Sequence, residues 1–394
     1  MGGTIRRIRK FVHKMTIAAG LGSKQRDVAA DVVVGICRSG SCHLSKIGRA
    51  LCERVPLIRT ERRLSEGMAA PDDETELMRL AYLDEIAPAA AAMDFVVVDG
   101  SELVKPHGTD FEYLDTVRDA SSPSKELKPG YWVVEIEATD REHRNLPLWC
   151  EVFSTKAPDY AGWRETFVQA MEPVVERVGR HLPYLFDRGF DDVEHFRACQ
   201  HLGLQWVVRQ IGNRHVLLGN GERVLMSELA ASLNKSHKTM VPYVCKKTHK
   251  VKHWPVTFGF APVELPDLEG QLYLIVIHTG RDEDIILLTN IGIRAPRQAA
   301  RIVRTYVRRW GIEEGIRFWK QKTHVEDFRV RSYNSIRRLS FLSMVAWGIQ
   351  ALWLLRAPAR AKKYIDRVKV FVDHVLFRHY RLWDGVAAAL AAGA

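Results

Sequence analysis

Cysteine is scarce in this chain: six residues in 394, scattered and too few for a disulfide scaffold. A reducing compartment, the cytoplasm, is the simpler expectation. The N-terminal MGGTIRRIRKFVHKM lacks both the apolar core and the small-residue cleavage site of a signal peptide. Arg6 stands where N-myristoylation would need Ser or Thr. Long hydrophobic runs are also missing. The longest uncharged one, Leu339 to Leu355, has 17 residues and contains Ser340, Ser343, Gly348 and Gln350, so it reads as a buried core helix rather than a membrane span. No internal repeat or low-complexity tract appears apart from an Ala-rich tail. With 46% hydrophobic and 27% charged residues, wholesale disorder is excluded.

Acids are the minority charge: 47 Asp and Glu stand against 58 Lys and Arg, a net charge of +11. The surplus is concentrated in three regions. Residues 1–63 carry an excess of +10, residues 213–263 of +6 and residues 294–338 of +9, so the remainder is acidic. Three basic regions on an otherwise acidic chain point to one extended anion, nucleic acid, as their common partner.

The hydrophobic period divides the chain. Residues 1–90 read as short helices near 5–15, 24–37, 44–54 and 74–86, with Pro71-Asp72-Asp73 as a loop. This is either a solvated helical bundle or a DNA-end-binding module. From Asp94 the pattern becomes strand-like. Phe95-Val96-Val97-Val98-Asp99, Tyr131 to Thr139 and Leu146 to Thr155 are expected strands, followed by a helix near 160–178. Tyr184-Leu185-Phe186-Asp187, a helix near 191–202 and Leu204 to Ile211 complete a mixed α/β pattern over residues 91–212. Residues 213–292 read as a β-rich insertion, with strands at Leu272 to His278 and Ile285 to Thr289. The α/β pattern resumes over residues 293–335 with one long helix from Pro296 to about Lys322. Residues 336–394 read as a helical C-terminal region.

Asp99 and Asp187 each close an expected strand of the same sheet, the edge where catalytic groups gather. Either one alone could equally be a turn or cap residue. Asp191 and Asp192, which open the next helix, read as caps. On the long helix, Tyr306, Arg309, Glu313 and Lys320 fall within about 60° of one another, with Arg317 at the edge of that face. One acid among several cations suits a phosphate-and-metal site, since the carboxylate holds a cation while Arg and Lys neutralise phosphates. A solvated basic helix is the alternative. Lys246, Lys247, Lys250 and Lys252, with His249, His253 and Trp254, form a basic cluster with an aromatic edge that fits DNA contact. Trp310 reads as core, with base stacking as its alternative. The spacing of Cys37, Cys42, His43 and Cys52 fits no common zinc site.

Tyr306-x2-Arg309-x3-Glu313-x6-Lys320, within YVRRWGIEEGIRFWK, resembles the Tyr-Arg-Glu-Lys signature of a group of DDE transposases of bacterial insertion sequences. VVVDGSEL around Asp99 is similar to their first acidic motif, and YLFDRGFD around Asp187 to their second. The similarity covers about residues 90–350. It implies an RNase H-like mixed-sheet core of the α/β class, a helical N-terminal module that binds transposon ends, a β-rich insertion before the helix carrying the Glu, and a helical C-terminus.

The resemblance also implies chemistry. Asp99, Asp187 and Glu313 would be both catalytic residues and ligands of two Mg²⁺, replaceable by Mn²⁺, with Glu313 preferred to Glu314. Tyr306, Arg309, Arg317, Lys320 and the lysine cluster of the insertion would contact double-stranded DNA. The expected activity is cleavage of the ends of an insertion sequence and joining of the freed 3′-OH to target DNA, by a homodimer when two ends are synapsed. A catalytically inactive DNA-binding relative and a nuclease without strand transfer are the alternatives.

Overall fold

The computed structural model describes residues 2–119, 126–142, 144–244, 251–280 and 283–356, with Ser122 and Ser124. The apolar, β-branched run at Phe95 opens β1 (Phe95–Val104), whose first four residues are buried. A strand covered on both faces reads as a continuous hydrophobic run, and this one is an interior strand of the sheet. Strand β3 (Leu127–Thr139) runs antiparallel to it. Along the outer edge of β3, β2 (Asp115–Arg118) pairs with residues 127–130 and β4 (Asn145–Phe153) with residues 132–139. On the other side, β5 (Pro183–Phe186) and β6 (Gln205–Arg209) lie parallel to β1 in the order β1-β5-β6.

Helix α6 (Trp163–Val178) connects β4 to β5, and α7 (Val193–His201) connects β5 to β6. The order β4-β3-β1-β5-β6, three antiparallel strands and then two parallel ones, is an RNase H-like core of the α/β class.

The β-rich stretch continues the same sheet. β12 (Ile285–Thr289) pairs with β6 on one side and β11 (Leu268–His278) on the other. β11 pairs with β10 (Val251–Leu265), and β10 with β9 (His237–Val244) and the short β7 (His215–Leu217), next to β8 (Arg223–Leu225). Helix α8 (Met226–Ser232) comes directly after β8.

At the N-terminus stand α1 (Gly2–Ala18), α2 (Ser23–Ser39), α3 (Leu44–Leu51), α4 (Leu57–Met68) and α5 (Asp72–Ala91). Two expectations are corrected here. Helix α4 is not among the helices expected from the hydrophobic period. Pro71-Asp72-Asp73 is not a loop but a helix start: Pro71 is the cap, and Asp72, Asp73 and Glu74 fill the first turn of α5, where negative charge complements the helix dipole. Helix α11 (Tyr333–Arg356) is long and apolar enough to cross a membrane by length and composition alone, yet most of it is buried. It packs on β4, α2 and α5. Arg338 of α11, 2% exposed, donates to the carbonyls of Gly67 and Pro71, to Thr75 and to Glu74.

Two cores flank the sheet. Val96 and Val98 of β1 face the larger one, with α6, α7, the N-terminal helices and α11. Phe95 and Val97 face the smaller one, with Leu185, Val207, Leu287 and the apolar side of α9 (Pro296–Val307). By alternation along the strand, Asp99 belongs to the smaller, α9-covered side.

Candidate active site

The parallel pairing of β1 with β5 ends at Val98 opposite Phe186. One residue further on each strand come Asp99 and Asp187, which register alone makes neighbours. Asp99 is not at a strand end, as its sequence context implied, because β1 runs on to Val104 against β3. It is β5 that stops, leaving the Asp99 carboxyl at the notch. Asp187 leaves β5 as the cap of a 3₁₀ turn, Arg188–Phe190, and accepts from the Gly189 N–H at 2.7 Å. Of the two expected caps, Asp192 does cap α7, accepting from the Glu194 N–H at 2.7 Å. Asp191 instead accepts from the Ile211 N–H at 2.5 Å and pairs with Arg214.

The single long helix expected from Pro296 is broken. Helix α9 ends at Val307, a 3₁₀ turn takes Arg308–Trp310, and α10 runs from Gly311 to Thr323. Tightening from 3.6 to 3.0 residues per turn rotates α10 about the helix axis, so the four signature residues do not share one continuous helical face. Tyr306 is buried, and its hydroxyl donates to the Phe186 carbonyl at 3.2 Å, tying α9 to the end of β5 directly before Asp187. Arg309 lies under the turn, its side chain 6% exposed. Its Nη1 is 3.3 Å from Asp99 Oδ2 and its Nη2 3.6 Å from Glu313 Oε1. The Glu313 side chain is 55% exposed.

Arg317 is exposed. Lys320 is held inside, donating to Glu102 of β1 at 2.9 Å, with Glu326 at 3.9 Å. Lys252 and Trp254 of β10 are exposed, the indole N–H donating to the Thr279 carbonyl at 3.0 Å. Lys246, Lys247, His249 and Lys250, and the side chains of Trp310 and Glu314, lie outside the described residues.

The electrostatics reflect this crowding. Burial pushes the Asp99 carboxyl up to about 7; Asp187 and Glu313 push the same way, while Arg309 and the Gly100 N–H hold it down. Burial works against the charge of Arg309, but Tyr306, Asp99, Asp187 and Glu313 together hold its pKa above the ordinary range. Tyr306 is raised to about 12, chiefly by burial. Among the described residues, no three Asp, Glu, His or Cys side chains stand close enough together to hold a metal ion as they are. The two aspartates meet by register, and Glu313 joins them through Arg309.

Comparison with known proteins decides the family. Residues 93–349 match the model of the transposase DDE domain. The chain belongs to the DDE transposase family. It is thus a transposase, of a class of enzymes that act on DNA, and the matched segment runs from just before β1 into α11. No curated protein matches the chain. A solved structure titled as a piggyBac transposase synaptic complex with hairpin DNA aligns over 96% of this chain and 72% of that one, at 10% identity and a TM-score of 0.43.

The candidate site holds further acids outside the set expected from sequence. Glu135 of β3 lies directly opposite Asp99, and Glu137 opposite Val97. Both are buried; burial pushes Glu135 up to about 8, against the pull of Lys320, and pushes Glu137 well above its usual range. A signal was present. In YWVVEIEAT two acids alternate inside an apolar run, which puts both on one face of a strand.

Proposed function

We propose that this transposase cleaves the ends of an insertion sequence by metal-dependent phosphodiester hydrolysis and joins the freed 3′-OH to target DNA. The observation that carries the reading is the notch at which β5 stops. It sets Asp99 beside Asp187, with Arg309 spanning from Asp99 to Glu313. Carboxylate oxygens are hard donors that suit Mg²⁺ or Mn²⁺, and a carboxyl raised to about 7 beside two other acids fits a place where a cation is wanted. Asp99, Asp187 and Glu313 would hold two such ions, which when bound supply Lewis-acid stabilisation of the attacking and leaving oxygens.

The chain's own groups do the rest. Asp99 and Asp187 are fixed by the sheet. Glu313, on the solvent side, meets them as DNA enters. Arg309 neutralises the acids from beneath and keeps α10 in register with β1. In the first step a water oxygen attacks phosphorus at the element's end, the bond from phosphorus to the 3′ oxygen breaks, and a 3′-OH is released. That hydroxyl then attacks a target phosphodiester, forming one P–O bond as another breaks, with no covalent protein intermediate.

Arg317, Lys252 and the lysines at 246, 247 and 250 grip phosphates, together with Lys320 where DNA draws it from Glu102. The N-terminal helices α1–α5, whose stretch over residues 1–63 carries an excess of +10, bind the ends, and two copies synapse them. Incubating end-containing duplex with Mg²⁺ and a target plasmid tests this. Wild type should nick and join, while Asp99→Asn, Asp187→Asn and Glu313→Gln should each lose both steps and still bind the ends. Nicking without joined product would reduce the enzyme to a nuclease.

A further inference from the structure

Glu135 is the one acid directly facing Asp99 across the β1–β3 ladder. Opposed residues of antiparallel strands bring their Cβ atoms to about 5 Å, and like charges there repel. Glu135 is 3% exposed, and among the described residues its Oε1 has no hydrogen-bond partner. An unpartnered buried oxygen of this kind is costly, and the nearby Lys320 charge draws on the carboxyl without supplying that oxygen a donor. The Arg309 fork is directed at Asp99 and Glu313, and the Lys320 ammonium donates to Glu102. Glu137, two residues along, has a different neighbour: its carboxyl lies against α10 at Gly315. Both Glu137 oxygens are open as well, but Glu137 stands opposite Val97, and of the two it is Glu135 that directly opposes Asp99 with an open acceptor.

We propose that Glu135 is a positioning residue for the cation held at Asp99, its unpaired oxygen accepting from that ion's bound water and its charge adding to that of Asp99. This rests on the metal-dependent reading above. Mg²⁺ and Mn²⁺ keep several waters when bound by few carboxylates, and outer acceptors of this kind commonly govern affinity by 10–100-fold.

The test is a calorimetric Mn²⁺ titration of the full chain without DNA, with melting curves at zero and saturating Mn²⁺. Wild type should bind, and Asp99→Asn should abolish binding. Glu135→Gln, equal in shape and neutral, should weaken Mn²⁺ affinity by about 10-fold or more and shrink the Mn²⁺-induced melting shift. Glu135→Asp, which keeps the charge but draws it back, should fall between, and it decides the matter if the Gln variant does not fold. A purely structural Glu135 would change the metal-free melt and leave Mn²⁺ affinity at the wild-type value, which overturns the proposal. Should Asp99→Asn itself bind Mn²⁺ like wild type, the metal-dependent reading fails first.

Discussion

Arg309 reaches Asp99 across 210 positions of sequence, Nη1 to Oδ2 at 3.3 Å, while its other nitrogen stands 3.6 Å from Glu313 four residues ahead. One guanidinium thus couples an acid fixed in the central strand to an acid on a helix. Its charge is buried among three carboxylates and a tyrosine, so the pair is a local balance rather than a surface ornament.

Removing that balance is expected to be costly. Arg309→Ala leaves Asp99 uncompensated, and a broken buried pair typically costs on the order of 3 kcal/mol. Arg309→Lys should recover only part, because an ammonium cannot fork between two carboxylates. Urea denaturation of the three proteins at one pH measures both. A change below about 0.5 kcal/mol in the Ala variant would show that the contact carries no weight.

The pH dependence has a definite sign. Asp99 is near 3.8 when unfolded and about 7 when folded, so the folded chain holds an extra proton between those values. Its contribution to stability is complete below about pH 4 and is lost as pH rises through 7. Glu135, raised to about 8, adds in the same sense. Without metal, stability should therefore fall between about pH 4 and about 8, less steeply in Asp99→Asn. Mn²⁺ competes with that proton, so its affinity should rise over the same interval. A flat affinity from about pH 6 to 8 would contradict the raised carboxyl.

Gly315 leaves the space that the Glu137 carboxyl occupies. A Cβ there would lie 2.6 and 2.7 Å from the two carboxyl oxygens and 3.0 Å from Asn145 Nδ2. Ala is the better helix former by about 1 kcal/mol, yet overpacking costs about 1–3 kcal/mol. Gly315→Ala should come out neutral to destabilising, with α10 displaced and DNA cleavage slowed. Adding Glu137→Ala to it should restore the space. A double-mutant cycle in melting experiments that shows no coupling would remove the contact from consideration.

Arg317 and Lys320 separate into two roles. Arg317 is exposed, so Arg317→Ala should lower the salt slope of log K for duplex end DNA by about 0.9 and leave the melt unchanged. Lys320→Ala strips Glu102, itself 6% exposed, of its donor and should lower the melting temperature. An equal slope for wild type and Arg317→Ala would place that side chain off the DNA.

The strand and helix periods, the acids Asp99, Asp187 and Glu313, and the Tyr306–Lys320 signature are all legible in the linear chain. Each is a local pattern: an apolar run closed by an acid, or fixed spacings along a helical segment. What only the tertiary structure decided is non-local. The end of β5 against a continuing β1 makes Asp99 and Asp187 neighbours, and no spacing encodes that register. The 3₁₀ turn at Arg308–Trp310 turns Arg309 inward onto a strand 210 positions away, because packing under the notch overrides the ideal helical period. By pattern alone Glu135 and Glu137 are ordinary members of a half-exposed strand; α10 covers them. Burial, which sequence pattern reports only as an average, is what gives those two carboxyls their chemistry.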